Sequence, residues 1–328
     1  MPYANTMTHK KFPDEPFLMA DIGGTHARFA VAKDGCIMGD VQVLDCAQFS
    51  NIFEVTSAYI SNIEPSQRPI HGIIAIAAPV KGDFITLTNL DWAFSSRQLC
   101  KDLNFQSLNV INDFTAIAWA VPRLVDRDLE AIGHGTVQND APIAILGPGS
   151  GLGISALVPT KYGWKVLPTE SGHATLPAMT TEEDAVLDKL RIRFGHLSAE
   201  RVLSGPGLIN LHSALLEIEG RETQILCPKT ISEKALNGTD ETCRRALDLF
   251  YQFLGTVAGN VALNYDARGG VYLAGGILNK QGSDFLSSSF RERFEHKGRF
   301  SNYVAKIPTF SITHAHPAFV GMAHGPLD

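Results

Sequence analysis

The chain of 328 residues is long enough for about two domains, and a composition that is 45% hydrophobic supplies ample material for buried cores. A formal net charge of -6 offers no basic field for a nucleic-acid backbone, which argues against nucleic acid as a partner. No apolar run approaches the roughly 20 residues that cross a bilayer, and the polar opening MPYANTMTHKKFPDEP lacks the hydrophobic core of a secretory signal, so the expectation is a cytoplasmic protein with no membrane partner.

The first predicted elements are a buried strand over Phe17–Ile22, a turn at Gly23 and Gly24, and a second apolar strand over 27–32. Short apolar runs at 73–78 and 109–111 end beside polar residues, as strand ends presenting functional loops do. The opening device recurs at 143–146, followed by the glycine-rich turn Gly147, Gly149, Gly151, Gly153 and the run 154–158. Further on, Thr180 and Glu183 form a capping-box pattern ahead of the stripe Val186, Leu187, Leu190. A helix is predicted from near Thr239, with Leu247, Phe250, Leu254, Val257 and Val261 on one packed face. A third strand into a glycine turn follows at 271–274 and Gly275, Gly276.

Glycine turns matter chemically because polyphosphate needs close approach to backbone N–H groups, which a side chain obstructs. In the first turn Gly23 and Gly24 could admit phosphate, Thr25 offers a hydroxyl, and Asp21 could hold hydrated magnesium. A tight hairpin with a solvated carboxylate accounts for the same residues, and Arg28 suits a structural ion pair. The turn Gly147-Pro148-Gly149-Ser150-Gly151-Leu152-Gly153 lacks the Gly-Lys-Ser/Thr ending of a P-loop and has Ile154 where the dinucleotide fingerprint needs glycine. It reads either as a different phosphate loop or as a plain glycine hairpin.

Asn112 and Asp113 follow the strand ending at Ile111, where a carboxylate can be held at a site's edge and accept a proton from an alcohol; a turn or helix cap is the structural alternative. Glu170-Ser171-Gly172-His173 places two hydroxyl-binding side chains three residues apart. Glu200 could add another carboxylate or be a solvated helix charge. The five cysteines, Cys36, Cys46, Cys100, Cys227 and Cys243, lack the close pairs of zinc sites and read as reduced, mostly packed thiols. His314 and His316 fit the flank of a strand or hinge better than a metal site, and His324 adds no third ligand by proximity. Trp92, Trp119 and Trp164 read as packing, and Arg244, Arg245, Arg291 and Arg293 as solvated helix faces.

Taken in order, Asp21 to Thr25 with Arg28, Ala77-Ala78-Pro79, Thr88-Asn89, Asn112-Asp113-Phe114, the 147–153 turn, Glu170 to His173, 200–207 and Ala274-Gly275-Gly276-Ile277 resemble the bacterial glucokinase family of the actin-like ATPase superfamily over nearly the whole chain. The resemblance implies two α/β domains of the actin-like (ribonuclease H-like) kind, each a mixed five-stranded sheet with flanking helices, enclosing a cleft: 1–123 plus 314–328 for sugar and phosphate, and 124–313 with nucleotide elements. It implies transfer of the ATP γ-phosphoryl group to glucose, with ATP and Mg2+ required and a homodimer as the assembly. It also implies that Asn89, Asn112, Asp113, Glu170, His173 and Glu200 surround glucose, with Asp113 as base. Gly205, Gly275 and Gly276 fall on the nucleotide side. The cysteine-rich zinc segment of the related repressor and sugar kinase family is missing, so His173 is expected to touch a hydroxyl rather than zinc. The expected mechanism is direct transfer without a phosphoenzyme, with closure excluding water. A kinase of another hexose such as N-acetylmannosamine and a nonenzymatic sugar sensor are the alternatives.

Overall fold

The computed structural model describes residues 15–223 and 225–325. The first fourteen residues of the polar opening, and the outermost ends of the expected 1–123 and 314–328 ranges, lie outside the described residues. Contacts divide the chain into two compact units, one formed by the described residues up to 125, by 160–168 and by those from 314 onward, the other by 126–159 and 169–313.

The first unit contains strands β1 (Phe17–Ile22), β2 (His26–Lys33), β3 (Cys36–Asp45) and β4 (His71–Ile76), a small hairpin of β5 (Phe84–Thr86) and β6 (Ala93–Ser95), and β7 (Ser107–Asn112). Its helices are α1 (Ile52–Ser61), α2 (Ser96–Asp102), α3 (Asp113–Ala120) and a C-terminal helix, Pro317–Met322, that packs on α3 and β1. The sheet order is β3-β2-β1-β4-β7, antiparallel across β3, β2 and β1 and parallel across β1, β4 and β7. Phe17, Leu18, Met19, Ala20 and Ile22 are all buried, the near-continuous apolar run of a strand covered on both faces. Asp21 alone stays partly exposed in that strand. The parallel register aligns Ile22 with Ile76 and Ile76 with Asn112, so the segments leaving β1 and β7 emerge at one edge of the sheet.

A second, six-stranded sheet uses β8 (Leu129–Ile132), β9 (Ile143–Pro148), β10 (Leu152–Thr160), β11 (Gly163–Thr169), β12 (Val271–Leu273) and β13 (Thr309–Ile312), in the order β11-β10-β9-β12-β13-β8. Its first five positions repeat the order of the other sheet, with β9 antiparallel to β10 and parallel to β12, which is parallel to β13. Both sheets are mixed and flanked by helices, as the actin-like expectation requires. The second differs from the expected five strands by β8, an edge strand antiparallel to β13. Only Ile132 of its four residues is buried, so there is no apolar run to announce it.

Helices α4 (Thr181–Phe194), α5 (Gly205–Ile218), α6 (Pro228–Leu236), α7 (Glu241–Tyr265), α8 (Gly276–Gln281), α9 (Ser283–Leu286) and α10 (Phe290–Glu295) complete this core. The cap of α7 is Asp240, whose carboxylate accepts the Cys243 N–H, and the predicted face from Leu247 to Val261 is buried throughout. Each such large apolar side chain contributes about 1.5–3 kcal/mol on burial. Thr180 caps α4 by accepting the Glu183 N–H, and Val186, Leu187 and Leu190 are fully buried.

The reading of the four arginines as solvated faces is corrected at two of them. Arg293 is only 8% exposed and donates to both carboxylate oxygens of the fully buried Glu183, at 2.6 and 3.2 Å, and to Thr256 Oγ1 at 2.9 Å. Arg291 donates to the Ala305 and Ile307 carbonyls, each at 2.9 Å. These partners lie far away in sequence, so a helical charge pattern could not reveal them. Cys46 and Cys243 are buried, while Cys36 and Cys227 are exposed free thiols. None of the described helices is long and apolar enough to cross a membrane.

Candidate active site

At the edge of the first sheet, Asp21 and Arg28 face one another across the β1–β2 ladder at 3.4 Å. Burial pushes the Asp21 carboxyl up against the opposing pull of Arg28. The turn is closed by Gly23 N–H donating to the His26 carbonyl at 3.1 Å, and Thr25 is exposed. Neither Gly23 nor Gly24 has a positive φ. Gly24 is required by close approach instead, since a Cβ there would stand 2.8 Å from Asn89 Cβ. The turn and Asn89 are therefore packed together.

Asn112 ends β7 and caps α3: its Oδ1 accepts from Phe114 N–H at 2.9 Å and Thr115 N–H at 3.3 Å, while its amide donates to the Ala78 carbonyl at 3.3 Å. The capping alternative is thus correct for Asn112, and one amide hydrogen remains for another acceptor. Asp113 is the first residue of α3, where the helix dipole favours an anion. Its carboxyl is nonetheless raised to about 7, first by burial and second by the negative charge of Asp21. A carboxyl at that level can both take and release a proton near neutral pH.

In the second unit the turn between β9 and β10 consists of Gly149, Ser150 and Gly151, with Pro148 paired to Leu152 and Gly147 to Gly153. Gly149 N–H donates to the Gly151 carbonyl at 2.8 Å, and the Gly149 carbonyl accepts from Gly205 N–H at 2.9 Å. Gly205, expected beside a nucleotide, opens α5 and spends its own N–H holding the turn. A Cβ on Gly149 would meet nothing within 4 Å, so the fold itself does not require glycine there. Gly276 is equally open, whereas Gly275, with φ at +111°, would run a Cβ into the Pro148 carbonyl.

Glu170, exposed, precedes the short 3-10 turn Ser171–His173. His173 Nδ1 lies 3.9 Å from Glu200 Oε1, so these two predicted residues are brought together. Glu200 sits in the 3-10 turn Ala199–Arg201, and its Oε2 accepts the Leu152 N–H at 2.8 Å. The solvated-helix alternative for Glu200 is wrong, because its carboxylate is bound to the glycine turn. This bond spans 48 residues, and no sequence signal could have found it.

His316 N–H donates to His314 Nδ1, and His324 Nδ1 donates to the Val320 carbonyl. Trp92 and Trp119 are buried. His212, Asp240 and Cys243 hold donor atoms within 4.8 Å of one another. Both oxygens of Asp240 are engaged, one by Cys243 N–H and the other by Lys234 at 3.5 Å, which makes this group a helix-cap cluster. The chemistry of Asp21 suits a hard cation: it is a carboxylate oxygen donor, with Arg28 at 3.4 Å already offsetting part of its charge. The open Gly149 and Gly276 positions suit backbone contact with phosphate.

A family model described as Glucokinase matches residues 18–326. A glucokinase from Nitrobacter hamburgensis is 45% identical over 311 residues, covering 95% of this chain and 97% of its own length. The crystal structure of a glucokinase from an Antarctic psychrotroph superposes with a TM-score of 0.82 at 36% identity, covering 96% of this chain and 98% of that one. A Balamuthia mandrillaris glucokinase in complex with glucose shares the fold, with a TM-score of 0.75 at 20% identity, over 94% of this chain and 92% of that one.

Proposed function

The chain belongs to the glucokinase family and phosphorylates glucose with ATP, and from that premise we propose that the γ-phosphoryl group passes to the glucose 6-hydroxyl with Asp113 as the general base. The observation that carries this reading is the Asp113 carboxyl at the head of α3, raised to about 7 by burial and by Asp21. A base of that strength accepts the hydroxyl proton as the oxygen–phosphorus bond forms, and glucose 6-phosphate and ADP are the products.

In this proposal Asn89, Asn112, Glu170, His173 and Glu200 align the sugar hydroxyls. Gly23, Gly24, Thr25, Gly147, Gly149, Ser150 and Gly151 meet the phosphates, and Gly205, Gly275 and Gly276 shape the nucleotide side. Asp21 would hold magnesium through water, and magnesium, when bound, would offset charge on the phosphates. Transfer is direct, since the base and the fixed backbone donors leave no need for a phosphoenzyme. A homodimer, which rests on family membership, and a cytoplasmic setting, which rests on the sequence reading, are also parts of the proposal.

The test is ADP release with glucose, mannose, N-acetylmannosamine or no sugar, in the presence of magnesium and ATP. Glucose should give the highest kcat/KM. A preference for N-acetylmannosamine would reassign the substrate, and no sugar-dependent ADP release at all would leave a sugar sensor.

A further inference from the structure

We propose that Glu200 is a positioning residue that couples sugar occupancy to the 147–153 phosphate turn, and that Gly151 is glycine to make room for its carboxylate. The inference rests on the proposed sugar contact of Glu200 and adds a second task for its other oxygen.

The Leu152 N–H donates to Glu200 Oε2 at 2.8 Å, which pins the outgoing end of the turn. A Cβ on Gly151 would intrude on that same oxygen and stand 3.2 Å from the carboxyl carbon. Gly151 has no positive φ, so its missing side chain answers to Glu200 rather than to backbone conformation. The rest of the turn is held from the same direction: Ser204 Oγ donates to the Glu200 carbonyl at 2.8 Å, and Gly205 N–H to the Gly149 carbonyl at 2.9 Å. Close packing continues toward the predicted sugar contacts, since a Cβ on Gly172 would collide with the Leu152 carbonyl.

A carboxylate has acceptor sites on both oxygens. Oε2 is turned to the phosphate turn, and Oε1 lies on the His173 side. The Glu200 side chain is one-third exposed, with Oε2 held by the Leu152 N–H and Oε1 lying 3.9 Å from His173 Nδ1. A sugar hydroxyl donating to Oε1 would fix the carboxylate and, through Oε2, the backbone on which phosphate binds. Glucose should then raise the affinity for nucleotide, and nucleotide that for glucose by the same factor, because coupling between two sites is reciprocal.

Gly151 and a control outside the site provide the test. Gly151→Ala should weaken glucose binding about tenfold in calorimetry, by displacing a carboxylate on a residue 49 positions away. Glu219→Ala, which breaks an exposed ion pair outside the proposed site, should leave glucose affinity within about twofold. Equal glucose affinity for Gly151→Ala and wild type, or equal losses for both alanine variants, would overturn the proposal.

Glu200→Ala serves if Gly151→Ala does not fold. Affinity for the magnesium complex of a non-hydrolysable ATP analogue is measured without glucose and at saturating glucose. The wild type should gain roughly fivefold or more from glucose, and Glu200→Ala should gain nothing. Weakened glucose binding with an intact gain at saturation would overturn the coupling while leaving Glu200 as a sugar contact. Unchanged glucose affinity in Glu200→Ala would remove the sugar contact itself, and the coupling with it.

Discussion

Asp21 lies close enough to Asp113 for its negative charge to add to burial in raising the Asp113 carboxyl to about 7. The acidic limb of the kcat/KM profile for glucose, which reports the free enzyme, should therefore inflect near pH 7, with activity rising as Asp113 loses its proton. Removing a neighbouring negative charge makes ionisation easier, so Asp21→Asn should move the inflection to lower pH as well as reduce the rate. An inflection that stays in place in Asp21→Asn would show that the two carboxyls do not interact.

Asp113→Asn keeps the size of the side chain but cannot take the alcohol proton. Its turnover at saturating glucose should fall roughly 100-fold to 10,000-fold, with glucose binding largely retained in calorimetry. Stability should respond in a defined direction. The folded protein holds the Asp113 proton more tightly than the unfolded chain, so that contribution is full below the ordinary value of 3.8 and is lost as pH rises through about 7. The melting temperature of Asp113→Asn relative to wild type should rise between pH 5 and pH 8. Near-normal turnover would end the base assignment and direct attention to Glu170 or Glu200.

Gly149→Val places a branched side chain in open space, so the fold should tolerate it while phosphate is kept from the backbone. Losing one hydrogen bond to a charged group costs about 1.5–3 kcal/mol, or about 10-fold to 100-fold in affinity for ATP. Titration with ATP and circular dichroism would check the two halves of this expectation. Wild-type ATP affinity and turnover would remove Gly149 from the phosphate site.

Glu183→Ala would leave the Arg293 guanidinium buried without its carboxylate, at a cost of about 3–5 kcal/mol. Urea denaturation should show that loss. Breaking the exposed Arg221–Glu219 pair should cost at most about 1 kcal/mol. Comparable small losses in both variants would contradict the buried pair's role.

Much of this protein is determined by local sequence. Strand and helix positions follow from apolar runs and periodicity, because burial at 17–22, 143–148 and along α7 leaves a pattern in adjacent residues. The glycine turns and the Asn112-Asp113 pair could also be read locally, since turns and caps involve neighbours in the chain. What the tertiary structure decided is which distant groups meet. The raised Asp113 carboxyl depends on burial and on Asp21 across a parallel sheet, the burial of Arg293 depends on Glu183, and the need for glycine at 151 depends on Glu200. Charge, desolvation and steric exclusion act through distances of a few ångströms in space, and a linear sequence records such distances only between residues that are close along it.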